Sequence, residues 1–231
     1  MHFVSRDAQQ FPILDVPLDA PTRALVRLAV AIARGREEML VARVREAIAA
    51  EVPSVWVDEL LLLSMLMVGW PRALSAAAVW RRESGVRAPA ADASLTETLE
   101  DWRTRGEALC RVVYGANYER LRENVRALHP ALDAWMVRDG YGRVLSRPGL
   151  DLVRRELCVI AETAVLEAGP QMLSHLKGAL NAGASMQLVA EVVTLVKQDL
   201  AESEGRLLEE MWQRAQSTEQ RAQSKGQTPN S

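Results

Sequence analysis

The chain has 231 residues, enough for one large domain or two small ones to bury a core without disulfides. Hydrophobic residues make up 48% and charged residues 25%, and aromatics only 5%, so the alanine, leucine, valine, arginine and glutamate that dominate favour helix over sheet. A net charge of -2 without a long basic run argues against a nucleic-acid surface.

The two cysteines, Cys110 and Cys158, are too far apart for a C-x-x-C redox pair. With three scattered histidines they give no metal-ligand spacing, so no metal is expected. They read as buried thiols in a reducing compartment. Met1 to Asp7 has no basic stretch leading into an apolar run, which predicts no signal peptide. Leu60 to Val68 is too short to span a bilayer and is broken by Gly69 and Pro71. The expectation is a cytoplasmic protein with no membrane or nucleic-acid partner.

In chain order, residues 1–20 read as an N-terminal arm containing Pro12 and Pro17. Pro21 sits where a helix begins. Leu25, Val26, Leu28, Ala29 and Ile32 recur at helical spacing, and Gly35 ends that segment. A second helix over about 37–50 carries Leu40, Val41, Val44, Ala47 and Ile48. A third, about 55–68, is apolar nearly all round and so is expected to be buried. Gly69-Trp70-Pro71 predicts a sharp break before an Ala-rich helix over 72–82.

Residues 84–145 read as a linker and connecting helices. Ser94-x-x-Glu97 has the capping-box pattern, with a helix following to about Val113. Short helices are expected on either side of His129-Pro130, and Asp139-Gly140-Tyr141-Gly142 reads as a turn. Pro148 opens a strong helix to about Glu167. Gly169-Pro170 turns the chain into a helix over 171–182, stopped by Gly183. Residues 186–213 continue as one long helix or two, and 216–231 have the composition of a disordered tail.

An ungapped offset of 132 (157 minus 25) pairs Leu25 with Leu157, Ala29 with Ala161, Glu59 with Glu191 and Trp80 with Trp212. The apolar phase agrees as well, which favours a degenerate duplication of residues 21–83 and 146–215.

Two stretches carry a resemblance. Val57 to Leu74 contains Met67-Val68-Gly69-Trp70-Pro71 ahead of an Ala-rich helix. Arg147 to Cys158 precedes His175-Leu176-Lys177-Gly178-Ala179-Leu180-Asn181-Ala182-Gly183. Together they resemble the carboxymuconolactone decarboxylase family and its alkyl hydroperoxidase D-like relatives. The resemblance implies an all-α helical bundle of two repeats, a small-molecule substrate and a homo-oligomer, trimer or hexamer. Hydroperoxidase D-like members place a C-x-x-C ahead of the histidine. Here those positions are Ala168 and Gln171, so that thiol chemistry is not expected.

His175 is the candidate acid–base group, because an imidazole can accept and return a proton near neutral pH. The resemblance implies cofactor-free lyase chemistry on a small carboxylated lactone or cyclic acid; the alternative is a non-catalytic oligomer that kept the fold. Glu156 matches the glutamate of the hydroperoxidase relay. Helix arithmetic, with the turn placed at Gly169-Pro170, puts Glu156 about eight residues from the point opposite His175 and prefers Glu191 as the orienting carboxylate. Arg155 and Arg147 could bind a substrate carboxylate, and Trp70 could line an apolar pocket or an oligomer contact. In the first half Arg43 and Glu59 occupy the positions of His175 and Glu191, which raises the competing reading of a plain structural ion pair.

Overall fold

The computed structural model describes residues 18–226, with side chains to residue 220. Only the last three residues of the expected N-terminal arm fall within it. The first three helices are α1 (Ala20–Arg34), α2 (Glu37–Ala49) and α3 (Ser54–Ser84). Asp19 caps α1 by accepting the Thr22 N–H at 2.8 Å, and Gly35 ends it in the left-handed region. The middle segment holds α4 (Leu99–Tyr114), α5 (Tyr118–Leu128) and α6 (Pro130–Trp135). The last part holds α7 (Leu152–Val165), α8 (Gly169–Asn181), α9 (Met186–Lys197) and α10 (Glu202–Gly226). No strand occurs among the described residues, and the fold is all-α as the composition and the resemblance imply.

The core lies between α1 and α7, which pack on one another. Leu25, Leu28 and Ile32 of α1 and Leu157 and Ile160 of α7 are fully or almost fully buried, each stabilising the fold by roughly 1.5–3 kcal/mol. Around this pair stand α2, α3, α8 and α9.

Several expectations need correction. Helix α3 was expected to be buried over 55–68, yet only 33% of its most apolar 18-residue window is buried. Val55 and Leu62 are exposed, as are Trp70 and Leu74 beyond. The central places are taken by α1 and α7, leaving α3 one inward face. The break predicted at Gly69-Trp70-Pro71 is present: Gly69 leaves the helical region at φ 76° and ψ 170°, so α3 is two helical stretches joined across it.

The capping box that opens α4 is Thr98 with Asp101, not Ser94 with Glu97. Ser94 is held by Asp92, and Glu97 is taken by Arg105 and Trp102. Residues 136–145, expected to contain a turn, form a π-helix against α4. Their glycine serves a close approach: a Cβ on Gly142 would stand 1.7 Å from Trp102 O, and one on Gly106 2.0 Å from Val137 O. The strong helix expected from Pro148 opens later, at its cap Asp151. Residues 216–226, expected as tail, continue α10.

Charge pairs fasten the last helices to the first. Asp199, in the break between α9 and α10, accepts from Arg27 of α1 at 2.9 and 3.1 Å and from Arg43 of α2 at 2.7 Å. Glu204 of α10 pairs with Arg34.

Candidate active site

Helices α7 and α8 form a hairpin that brings His175 to Glu156. Nδ1 of His175 lies 2.8 Å from Glu156 Oε2, with Glu156 fully buried and His175 7% exposed. Helix arithmetic preferred Glu191 because it put the turn at Gly169-Pro170. That dipeptide instead opens α8, Pro170 sitting in its first turn, so the chain reverses between Val165 and Gly169. Each residue the turn moves back shifts the register by two. Glu156 is then about three residues from the point opposite His175, ~5 Å along the axis, a gap two side chains can close.

Gly178 makes the approach possible. A Cβ there would meet Glu156 Oε2 at 2.7 Å and Val113 Cγ1 at 2.8 Å. The C-terminal end of α4 closes the site from the other side, and Asn181 Nδ2 ties it down by donating to Val113 O at 2.8 Å. Tyr114 follows, its hydroxyl 3.1 Å from that of Tyr141 and the two rings edge to face. Burial pushes both phenols up, and the nearby Glu156 carboxylate adds to the effect. Burial also pushes the Cys110 thiol up to about 12. Glu156 Oε1 has no protein hydrogen-bond partner.

The other sequence candidates fall elsewhere. Glu191 accepts from Gln187 Nε2 at 3.0 Å on the same helix, so it does not orient His175. Arg155 is fully buried and bound to Glu59 at 2.9 Å and to the carbonyls of Leu150 and Arg147. Its Nε and Nη2 are engaged inside the fold, while Nη1 is buried without a protein partner; burial pulls its pKa down while Glu59 opposes the shift. Arg147 is likewise engaged by Glu59 and Asp92. Trp70, 61% exposed, lines an apolar groove of about 310 Å3 with Leu61, Met65 and Leu74, separate from the dyad. In the first half, Arg43 pairs with Glu46 and Asp199 and Glu59 with the two arginines, so no Arg43–Glu59 pair forms.

A second buried carboxyl had not been singled out. Glu162 of α7 is fully buried, with Oε1 2.5 Å from Ser64 Oγ and Oε2 without a protein partner. Burial pushes its carboxyl up to about 8. Ser64 Oγ also lies 2.8 Å from Leu60 O. One hydroxyl proton serves one acceptor, so the arrangement is complete when the neutral acid donates to Ser64 and Ser64 donates to Leu60. The signal in the sequence was a lone glutamate inside Cys158-Val159-Ile160-Ala161-Glu162-Thr163-Ala164-Val165.

Among the described residues no group of three or more His, Cys, Asp or Glu side chains could hold a metal ion. The class defined so far is an all-α helical protein with a buried histidine–carboxylate dyad. Residues 8–82 match the model of the carboxymuconolactone decarboxylase family. No curated protein matches the chain.

Proposed function

We propose that this protein is a cofactor-free acid–base enzyme of the carboxy-lyase kind, acting on a small carboxylated lactone or cyclic acid. The observation that carries the reading is the buried 2.8 Å contact between His175 and Glu156. With Nδ1–H donating to the carboxylate, the tautomer is fixed and Nε2 is the atom that takes or returns a proton. In a decarboxylation that proton goes to carbon as carbon dioxide leaves. Arg155 and Trp70 have no part in this version. His175→Gln tests it: the fold should persist, and turnover in a lactone-decarboxylation assay should fall ~100- to 10,000-fold. A variant that melts early but turns over normally sinks the assignment. One observation favours the non-catalytic alternative, namely that His175 exposes only 7% of its surface. A peroxidase role is disfavoured, since burial pushes up the thiols of both Cys110 and Cys158.

The duplication is a further part of the proposal. Its support is that the starts of α1, α2 and α3 (20, 37 and 54) recur 132 residues later in α7, α8 and α9 (152, 169 and 186). Arg154 Nε also donates to Thr22 Oγ1, its counterpart at that offset, at 2.7 Å. Two counterparts in contact are what a pseudo-two-fold axis between α1 and α7 requires.

We read the exposed apolar side of α3, with Trp70 61% and Leu74 60% exposed, as the contact between copies in a trimer or hexamer. Light scattering at micromolar concentration should give a multiple of 25.6 kDa, and a monomer would refute the assembly. Free buried thiols at Cys110 and Cys158 suit the reducing cytoplasm.

A further inference from the structure

We propose that the groove between α5, α8 and α10 is a binding site for an aryl carboxylate, an organic anion with a sizeable apolar body. The open groove offers about 800 Å3, within the ~300–1,000 Å3 of sites that take drug-sized ligands. Leu121, Leu173, Leu207 and Met211 supply apolar walls. The charge on the lining comes from Arg120 and Arg214 against one carboxylate, Glu167.

The two guanidiniums are unlike their neighbours. On α5, Arg122 and Arg126 are both tied to Asp133, and on α4 Arg111 pairs with Glu119. Among the described residues Arg120 pairs with no carboxylate, and Arg214 lies 4.0 Å from Glu210 and 3.9 Å from Met211 Sδ. Two exposed guanidiniums at one apolar cleft, neither held by a carboxylate closer than 4.0 Å, provide the planar two-donor fork that a carboxylate fits. Gly169 and Pro170, opening α8, also line the groove, and Ala168 gives that helix no side-chain cap. The positive end of α8 therefore adds to the field of the arginines.

Glu167 sharpens the argument. It sits in the turn before α8 at φ 52°, a left-handed conformation that glycine adopts without strain. A strained acidic residue on the rim of a cationic groove holds the field in check and favours one anionic group over several. Tyr114 links the groove to the dyad's surroundings, since it is among the lining residues while its hydroxyl meets Tyr141. Binding itself asks nothing of His175, so this inference stands apart from the catalytic one.

The test is calorimetric titration of the full chain with 1-naphthoate, using neutral 1-naphthamide as control. Saturable one-to-one binding of the acid is expected, with the amide at least tenfold weaker. Arg120→Ala with Arg214→Ala should weaken 1-naphthoate at least tenfold, and Glu167→Gln should tighten it several-fold. All variants should melt close to the parent, because the two arginines are exposed. His175→Gln should bind as the parent does, whatever happens to its turnover. No saturable binding, equal binding of the amide, or unchanged affinity in the double arginine variant would overturn the proposal. So would loss of binding in His175→Gln, which would move the anion to the dyad.

Discussion

Replacing Glu162 by Gln should make the protein less stable in mild acid and more stable at neutral pH. In the folded chain its carboxyl is pushed from 4.5 up to about 8 by complete burial. Between those values the folded state keeps a proton that the unfolded chain has released. Stability therefore falls as pH rises from about 4.5 to about 8 and levels off beyond, by about 1.4 kcal/mol per unit. At pH 7 the cumulative cost is about 3 kcal/mol. Glutamine removes this dependence but brings a second N–H where Oε2 has no protein partner, at a cost of about 1 kcal/mol. The variant should thus trail the parent by about 1 kcal/mol near pH 4.5 and lead it by about 2 kcal/mol at pH 7. For a chain of this length that lead raises Tm by roughly 4–8 °C. Urea unfolding at half-unit pH steps measures the crossing. A parent-minus-variant difference that stays flat from pH 4.5 to 8 would show that Glu162 is ionised in the fold and refute the proton chain through Ser64.

Other expectations follow from the same geometry. Gly178→Ala forces a methyl against Glu156 and Val113 at 2.7 and 2.8 Å, so it should cost ~1–3 kcal/mol by thermal melting and lengthen the His175–Glu156 contact in a crystal structure; a wild-type melting curve would contradict the packing. Cys158→Ser should not alter peroxide reduction, because burial holds that thiol well above the usual range; loss of an activity the parent possessed would overturn the reading.

The helical layout was legible because its punctuation is local. Pro21, Gly35, Gly183 and the apolar spacing of α1 act within a few residues of themselves. The site was legible only in part. His175 stood out by its motif, but its partner depended on where the α7–α8 turn falls, and moving that point by two or three residues exchanges Glu191 for Glu156. Arg155 was misjudged because nothing near it in sequence reveals Glu59, its partner 96 residues away. The burial of α3 was overestimated because hydropathy reports what a helix could bury, while the inner places went to α1 and α7. The groove with Arg120 and Arg214 joins elements 94 residues apart, and no spacing pattern marks it.

The Asp199 and Glu204 clamps also govern how this chain comes off the ribosome. Arg34 meets Glu204 across 170 residues, and Arg27, which Glu46 pairs early, meets Asp199 across 172, so these clamps close only when nearly the whole chain is made. Until then α1, which α7 and α9 also cover, presents bare leucine and isoleucine to the cell. The stretch bearing the family signature is thus no independent folding unit: residues 8–82 expressed alone would lack the partners that bury α1, and a nascent chain paused after them depends on chaperones for its protection.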